Sequence, residues 1–195
     1  MNLSDKTILR EMEDGNIIID PFNPKHLNPN SIDLTLNKLY KVPDWKKHIE
    51  VYGHAWLDCK KKNFFKEAEM PEEGMVLMPN QLYLYCCNER IGCKKSIRAT
   101  IMGKSSLGRL GLFVHVTAGF VDTGFEGSLV LEMVATIPIK IYPNQKICQV
   151  EFVRVEGGFT ETYDQKQGSK YMNQTGVQSS KMEENFDLNY ERQQQ

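Results

Sequence analysis

Gly127-Ser128-Leu129-Val130-Leu131-Glu132-Met133-Val134 is rich in strand-forming residues and contains no proline. Two-residue alternation places Leu129, Leu131 and Met133 on one face and Val130, Glu132 and Val134 on the other. Both faces are otherwise apolar, so neither reads as solvated. A carboxylate in such company is either turned outward or functional, because an unpartnered buried charge is costly. Glu132 is therefore the first candidate for chemistry.

Similar strands recur on both sides. Ser31-Ile32-Asp33-Leu34-Thr35-Leu36 alternates polar and apolar residues, while Gln81–Cys86 and Lys146–Phe152 are again rich in strand formers. Asn, Pro and Gly separate them, which predicts an antiparallel sandwich or barrel. Ser4 to Gly15 is the one clear helical pattern, with Ser4 as N-cap, Ile8, Leu9 and Met12 on one face and Gly15 as the stop. The charged stretch 43–73, with Lys60-Lys61-Lys62, reads as a surface insertion or an irregular strand pair. Acids flank those lysines closely, so the run suits a solvated loop better than a nucleic-acid patch. After Gly158 apolar density falls, and 159–195 is expected to be a flexible tail, to pack on a neighbouring subunit or to order over a ligand.

The 195 residues suit one domain, and the charges nearly cancel, 24 Lys+Arg against 25 Asp+Glu. Such a balance disfavours non-specific nucleic-acid binding. No apolar run has the ~18 residues of a membrane helix, and the N-terminus lacks the apolar core of a secretion signal. Five cysteines, Cys86 and Cys87 adjacent, fit reduced thiols in a cytoplasm.

Three further segments carry unusual residues. Gly103-Lys104-Ser105-Ser106-Leu107-Gly108-Arg109-Leu110-Gly111 concentrates glycines, hydroxyls and cations. It reads equally as a cradle for phosphate oxygens or as a turn with a short helix capped by Ser105 or Ser106. Asp122-Thr123-Gly124-Phe125-Glu126-Gly127 lies between strand-like runs and reads as a hairpin loop. The segment is then either a plain turn, with Asp122 making an Asx-turn, or a ligand contact in which Phe125 lies on a nucleobase face. Tyr163 and Gly168–Gly176 have the composition of a disordered tail or of a flexible lid over an anion. His115 is read as a hydrogen-bonded strand residue.

Taken in order, Ser31–Leu34, Gly103–Gly111, Thr117-Ala118-Gly119-Phe120-Val121-Asp122, Leu131-Glu132 and Ser169-Lys170-Tyr171-x-x-Gln174-x-Gly176 resemble the dCTP deaminase branch of the dUTPase-like superfamily. The resemblance implies an all-β, distorted β jelly roll or barrel with a short N-terminal helix and a C-terminal lid. It also implies a homotrimer with sites at subunit interfaces, and magnesium on the triphosphate of dCTP. By position, Lys104, Ser105, Ser106, Leu107, Gly108 and Arg109 would line the triphosphate and catalytic pocket. Asp122 would hold the sugar 3′-hydroxyl, and Val130, Leu131 and Glu132 would face cytosine, the first two through backbone groups. Gln149, Tyr163, Lys170 and Gln174 would complete the nucleotide site.

Hydrolytic deamination needs a water and a proton shuttle. The chain has no Cys-x-x-Cys, so the paired His-x-Glu and Cys-x-x-Cys set of zinc deaminases is not met. Glu132 is then the expected general base and acid, with Ser105 and the Ala118 carbonyl holding the water. Family members that release dUTP typically carry Arg at 104 and His at 119. Gly119 and Phe120 instead resemble the members that release dUMP and pyrophosphate. The alternatives are a deaminase that stops at dUTP, a dUTPase, and a non-catalytic nucleotide-binding trimer. The glycine-rich C-terminal phosphate motif of dUTPases is absent from the sequence.

Overall fold

The computed structural model describes residues 1–186 and runs α1 (Asp5–Glu13), β1 (Ile17–Asp20), β2 (Leu27–Asn28), β3 (Ser31–Pro43), α2 (Trp45–Tyr52), β4 (Phe65–Glu69), β5 (Met75–Leu77), β6 (Tyr83–Cys93), β7 (Ile97–Gly103), α3 (Ser105–Gly108), β8 (Leu112–Phe113), β9 (Phe120–Val121), β10 (Glu126–Ala135), β11 (Ile139–Ile141) and β12 (Lys146–Arg154). The predicted strands are present and antiparallel, in the order β8-β10-β6-β3-β12-β7-β9, with β5 and β11 forming a separate pair. β3 is the corner. Its first half pairs with β12 (Ile32 opposite Val150), and its second half pairs with β6 and β4 (Tyr40 opposite Tyr85 and Ala68). A register shift between Leu36 and Tyr40 lets one strand serve both directions, curling the sheet around a single core.

Period-two alternation explains that core. β10 buries Leu129, Leu131, Met133 and Ala135, and these meet Tyr85, Cys87 and Ile91 of β6 and Leu34 and Leu36 of β3. The buried acids have partners: Glu89 accepts from the Thr35 N–H at 2.9 Å and its hydroxyl at 2.8 Å, and Glu11 accepts from Asn16 at 2.7 Å. The Asn16 bond and the Arg154 guanidinium outweigh burial and hold the Glu11 carboxyl below its ordinary range.

Several local expectations change. At the start of α1 the Ser4 hydroxyl faces Thr7 Oγ1 at 3.2 Å and caps no backbone N–H. The helix buries Ile8 and Glu11 and leaves Leu9 exposed, because the chain packs only that narrow stripe on the sheet. Within 43–73 a strand does pair with β3, but an unpredicted helix, α2, precedes it. Asp44 accepts from the Lys47 N–H at 3.0 Å at its start, and Gly53, in the left-handed region at φ 75°, ends it. His48-Ile49-Glu50 spells His-x-Glu there, yet His48 is buried among Trp45, Tyr52 and Phe64 and accepts from the Phe64 N–H at 2.9 Å. The link from Asp122 to Glu126 is not a hairpin: β9 pairs with β7 and β10 with β6, so it crosses between two parts of the sheet. The tail expected to be flexible lies, as far as residue 186, on its own sheet, with Val177 3% exposed. The expectation for its last residues, including Gln193–Gln195, falls outside the described residues.

Candidate active site

The face of β10 opposite the core opens onto a cavity of about 470 Å³, within the ~300–1,000 Å³ usual for small-molecule sites. Ala118, Asp122, Val130, Glu132, Tyr163 and Gln174 line it. The sequence separates these residues widely, and the fold brings them together because β9 delivers Asp122 beside the strand that carries Glu132. Leu131 alternates inward, so its side chain belongs to the core. Glu132 was expected to be desolvated, yet its side chain is 33% exposed, because that face of β10 carries a cavity and not a packed layer.

His115 corrects another expectation. It lies beyond β8, not within a strand, and its ring edges the same cavity. Its Nδ1 is 3.3 Å from Glu132 Oε2, its side chain is 7% exposed, and neither ring nitrogen makes a hydrogen bond. Imidazole and carboxylate together offer donor and acceptor groups at one wall.

A second hollow of about 580 Å³ adjoins, sharing Phe120, Asp122, Tyr163 and Tyr171 with the first. Arg98, Lys166 and Lys170 bring positive charge to it, suiting an anion. The Lys170 ammonium currently donates to Asn185 Oδ1. The Arg98 guanidinium lies 4.7 Å from the centre of the exposed Phe120 ring.

The tail is held by backbone geometry. The Ser128 N–H donates to Gln174 O at 2.9 Å, and Gln174 Nε2 donates to Ser128 O at 2.6 Å, leaving Gln174 Oε1 buried with no partner. Tyr163 is fixed by its N–H on Thr123 O at 2.8 Å and by an edge contact with Phe125 at 5.8 Å between ring centres. Phe125 is buried by that contact and still contributes to the cavity wall, so it is packed on a tyrosine where a base had been expected.

The glycine-rich segment stands apart. Lys104, Ser105, Ser106, Leu107, Gly108, Arg109 and Gln149 line neither hollow. Ser105 begins the one-turn helix α3; Lys104 sits at the N-cap position, and no side chain caps it, contrary to the Ser105 or Ser106 cap expected. The Lys104 ammonium donates to Asp33 Oδ1 at 2.6 Å, and Lys146 Nζ lies 3.0 Å from Asp33 Oδ2. Burial pushes the Asp33 carboxyl up, but the two ammonium groups outweigh it and hold it below its ordinary range. Gln149 lies on β12 opposite Asp33 of β3 and Met102 of β7. Within one chain, then, the expected catalytic residues divide: Glu132 and Ala118 on the cavity, Ser105 and Arg109 elsewhere.

Sequence reasoning missed the apolar wall made by Leu57, Phe65, Leu82 and Leu84, and the rim residues Gln178, Ser179 and Ser180. The apolar 82–86 strand was legible, but its outward face, and the return of 57–65 to it, depend on long-range pairing.

Comparison with known proteins places this geometry. A family model described as dCTP deaminase-like matches residues 2–155. A protein of Clostridium beijerinckii named dCTP deaminase, dUMP-forming, is 42% identical over 187 residues, covering 96% of this chain and 99% of that one. A protein of the same name from Methanosphaera stadtmanae is 36% identical over 193 residues, covering 95% of this chain and 96% of that one. Among solved structures, the 2′-deoxycytidine 5′-triphosphate deaminase from Agrobacterium tumefaciens superposes with a TM-score of 0.59 at 21% identity, over 77% of this chain and 47% of that chain. That superposition establishes that the two share an all-β fold. With a match spanning most of the chain and relatives of equal length, the protein belongs to the dCTP deaminase-like family.

Proposed function

We propose that the protein hydrolyses dCTP to dUMP, ammonia and pyrophosphate. The carrying observation is the Glu132 carboxylate, which opens onto a nucleotide-sized cavity beside His115, Ala118 and Asp122. Water adds to the cytosine carbon bearing the amine; Glu132 takes one of the water's protons and delivers it to the ring nitrogen, which keeps it. Glu132 then carries the proton of the new hydroxyl to the amine, so that the carbonyl forms as the C–N bond breaks and ammonia leaves. A second water at the α-phosphate releases pyrophosphate, so two waters are consumed. Asp122 accepts from the sugar 3′-hydroxyl, Val130 and Leu131 present backbone groups to the base, and Tyr163, Lys170 and Gln174 close over the nucleotide.

Among the described residues, Ser105 and Arg109 line neither of these two hollows of their own chain. Their supply by a neighbouring subunit, with Lys104, Ser106, Leu107 and Gly108 toward the phosphates and Gln149 beside them, completes the site in a homotrimer. Magnesium fits as a companion of the substrate. Asp122 lines both hollows and Glu161 the second, but among the described residues no group of three His, Cys, Asp or Glu converges to hold a metal. Triphosphate oxygens are the donors a hard cation prefers. Five free cysteines suit a reducing cytoplasm.

The dUMP outcome is supported by the names of the relatives, dCTP deaminase, dUMP-forming, and by Gly119. A Cβ there would lie 2.9 Å from Ile101 O and 3.7 Å from His115 Cδ2, so a side chain at 119 requires the local backbone to shift. Chelator-treated enzyme given dCTP and magnesium, quenched early, is expected to yield dUMP, ammonia and pyrophosphate in equal amounts. Absence of ammonia refutes the deaminase reading. Persistent dUTP refutes the second hydrolysis, and activity restored by zinc alone refutes the role of Glu132.

A further inference from the structure

β6 is buried on both faces. Tyr83, Tyr85 and Cys87 enter the main core, while Leu84 and Cys86 form a separate cluster on the outer side with Val177, ringed by Leu39, Phe65, Leu82 and Val130. Val177 is the one member of that cluster from the C-terminal segment, and it is as deeply buried as the strand residues. Phe65 heads β4 and is held beside it by pairing with Pro43 at the end of β3. Around this seat, Leu57 and Phe65 line the Glu132 cavity together with Gln174, Gln178, Ser179 and Ser180. Farther out, the Lys60 ammonium lies 5.4 Å from the centre of the Phe186 ring. The C-terminal segment is therefore fastened at several points: the Asn173 N–H donates to Glu126 O at 2.8 Å and Arg90 to Asn173 Oδ1 at 3.1 Å, Gln174 bonds Ser128 of β10, and Val177 is seated between β6 and β4.

We propose that residues 43–73 are the receiver of the C-terminal segment. In this arrangement Val177 is its seated anchor, a positioning residue that acts through Gln174 and the rim over Glu132, and Phe65 is the wall that faces both the seat and the cavity. The proposal rests on the dCTP deaminase reading and adds a part to it. Tyr171, Gln174 and the rim form part of the cavity wall, so their withdrawal widens the way in for a nucleotide. Withdrawal requires Val177 to leave its seat. Burial of one valine favours the closed state roughly 10- to 100-fold, strong enough to hold nucleotide and weak enough to reopen each cycle. The helix α2 and the loop after it are then scaffolding that carries Leu57 and Phe65 to the rim.

Three variants test this: Val177→Asp, Phe65→Ala and, as the conservative control, Val177→Ile. Steady-state kinetics with dCTP are expected to show KM raised about tenfold or more by the first two, kcat within about twofold for Val177→Asp, and near-normal values for Val177→Ile. Trypsin cleavage after Lys170 and Lys181, measured without nucleotide, is expected to quicken about tenfold in the same two variants while the midpoint of thermal unfolding stays put. Unchanged KM and cleavage in both, or a fall in thermal midpoint that tracks the KM change, overturns the receiver. Wild-type protein that fails to turn over dCTP overturns the functional reading instead, and the nucleotide-free cleavage rates then decide the receiver alone.

Discussion

Replacing Asp33 by Asn removes one buried negative charge and leaves two ammonium groups facing each other. The Asp33 side chain is 4% exposed, with Lys104 Nζ at 2.6 Å and Lys146 Nζ at 3.0 Å, and those side chains are 23% and 40% exposed. Breaking a fully buried pair costs about 3–5 kcal/mol. Both lysines reach partly into water, and an amide oxygen still accepts one hydrogen bond, so the expected loss is about 2–3 kcal/mol. For a chain of this size that lowers the thermal midpoint by roughly 5–10 °C. The pH dependence follows from the same pair. The folded-state pKa of Asp33 is depressed below its ordinary value of 3.8. Its contribution is thus present above that ordinary value and is lost as pH falls through the lower folded one. The gap in midpoint between wild type and Asp33→Asn, measured by calorimetry, is expected to be constant from pH 7 to about 5 and to close below about 4. A variant as stable as wild type at pH 7, or a gap that widens in acid, refutes the reasoning.

Glu132→Gln is expected to bind dCTP and lose roughly 10²–10⁴ in kcat, with little change in thermal midpoint because the side chain sits on a cavity wall. Normal ammonia release by that variant would show the carboxylate idle. Gly119→Ala places a Cβ 2.9 Å from Ile101 O, and overpacking of this kind costs about 1–3 kcal/mol in denaturant titration. Equal stability would mean that the loop shifts freely. Leu131→Ala empties a fully buried site on β10 and is expected to lose about 2–5 kcal/mol by the same assay, which a loss under 1 kcal/mol contradicts.

The alternation in 127–134, and its echoes at 31–36, 81–86 and 146–152, sufficed to predict an antiparallel all-β domain. Strand burial is written in a period of two, so Leu131 and Glu132 on opposite faces could be read from order alone, while the face that meets the core could not. Local chemistry likewise marked Asp122, Tyr163, Lys170 and Gln174 as worth locating. What lay beyond reading was proximity. Asp33 and Lys104 are 71 positions apart and meet only because β3 and β7 both flank β12. His115 reads as an ordinary strand residue until the chain turns after β8 and sets its ring against Glu132. The helix α2 carries no clean apolar stripe, since its inward side is a histidine held by Phe64, a partner sixteen residues on. Residue order therefore determined which faces are apolar and which side chains carry chemistry, for periodicity and reactivity are properties of short stretches. Which of them share a cavity was decided by the tertiary structure, because sheet pairing and the bend in β3 are bought with contacts that no short stretch contains.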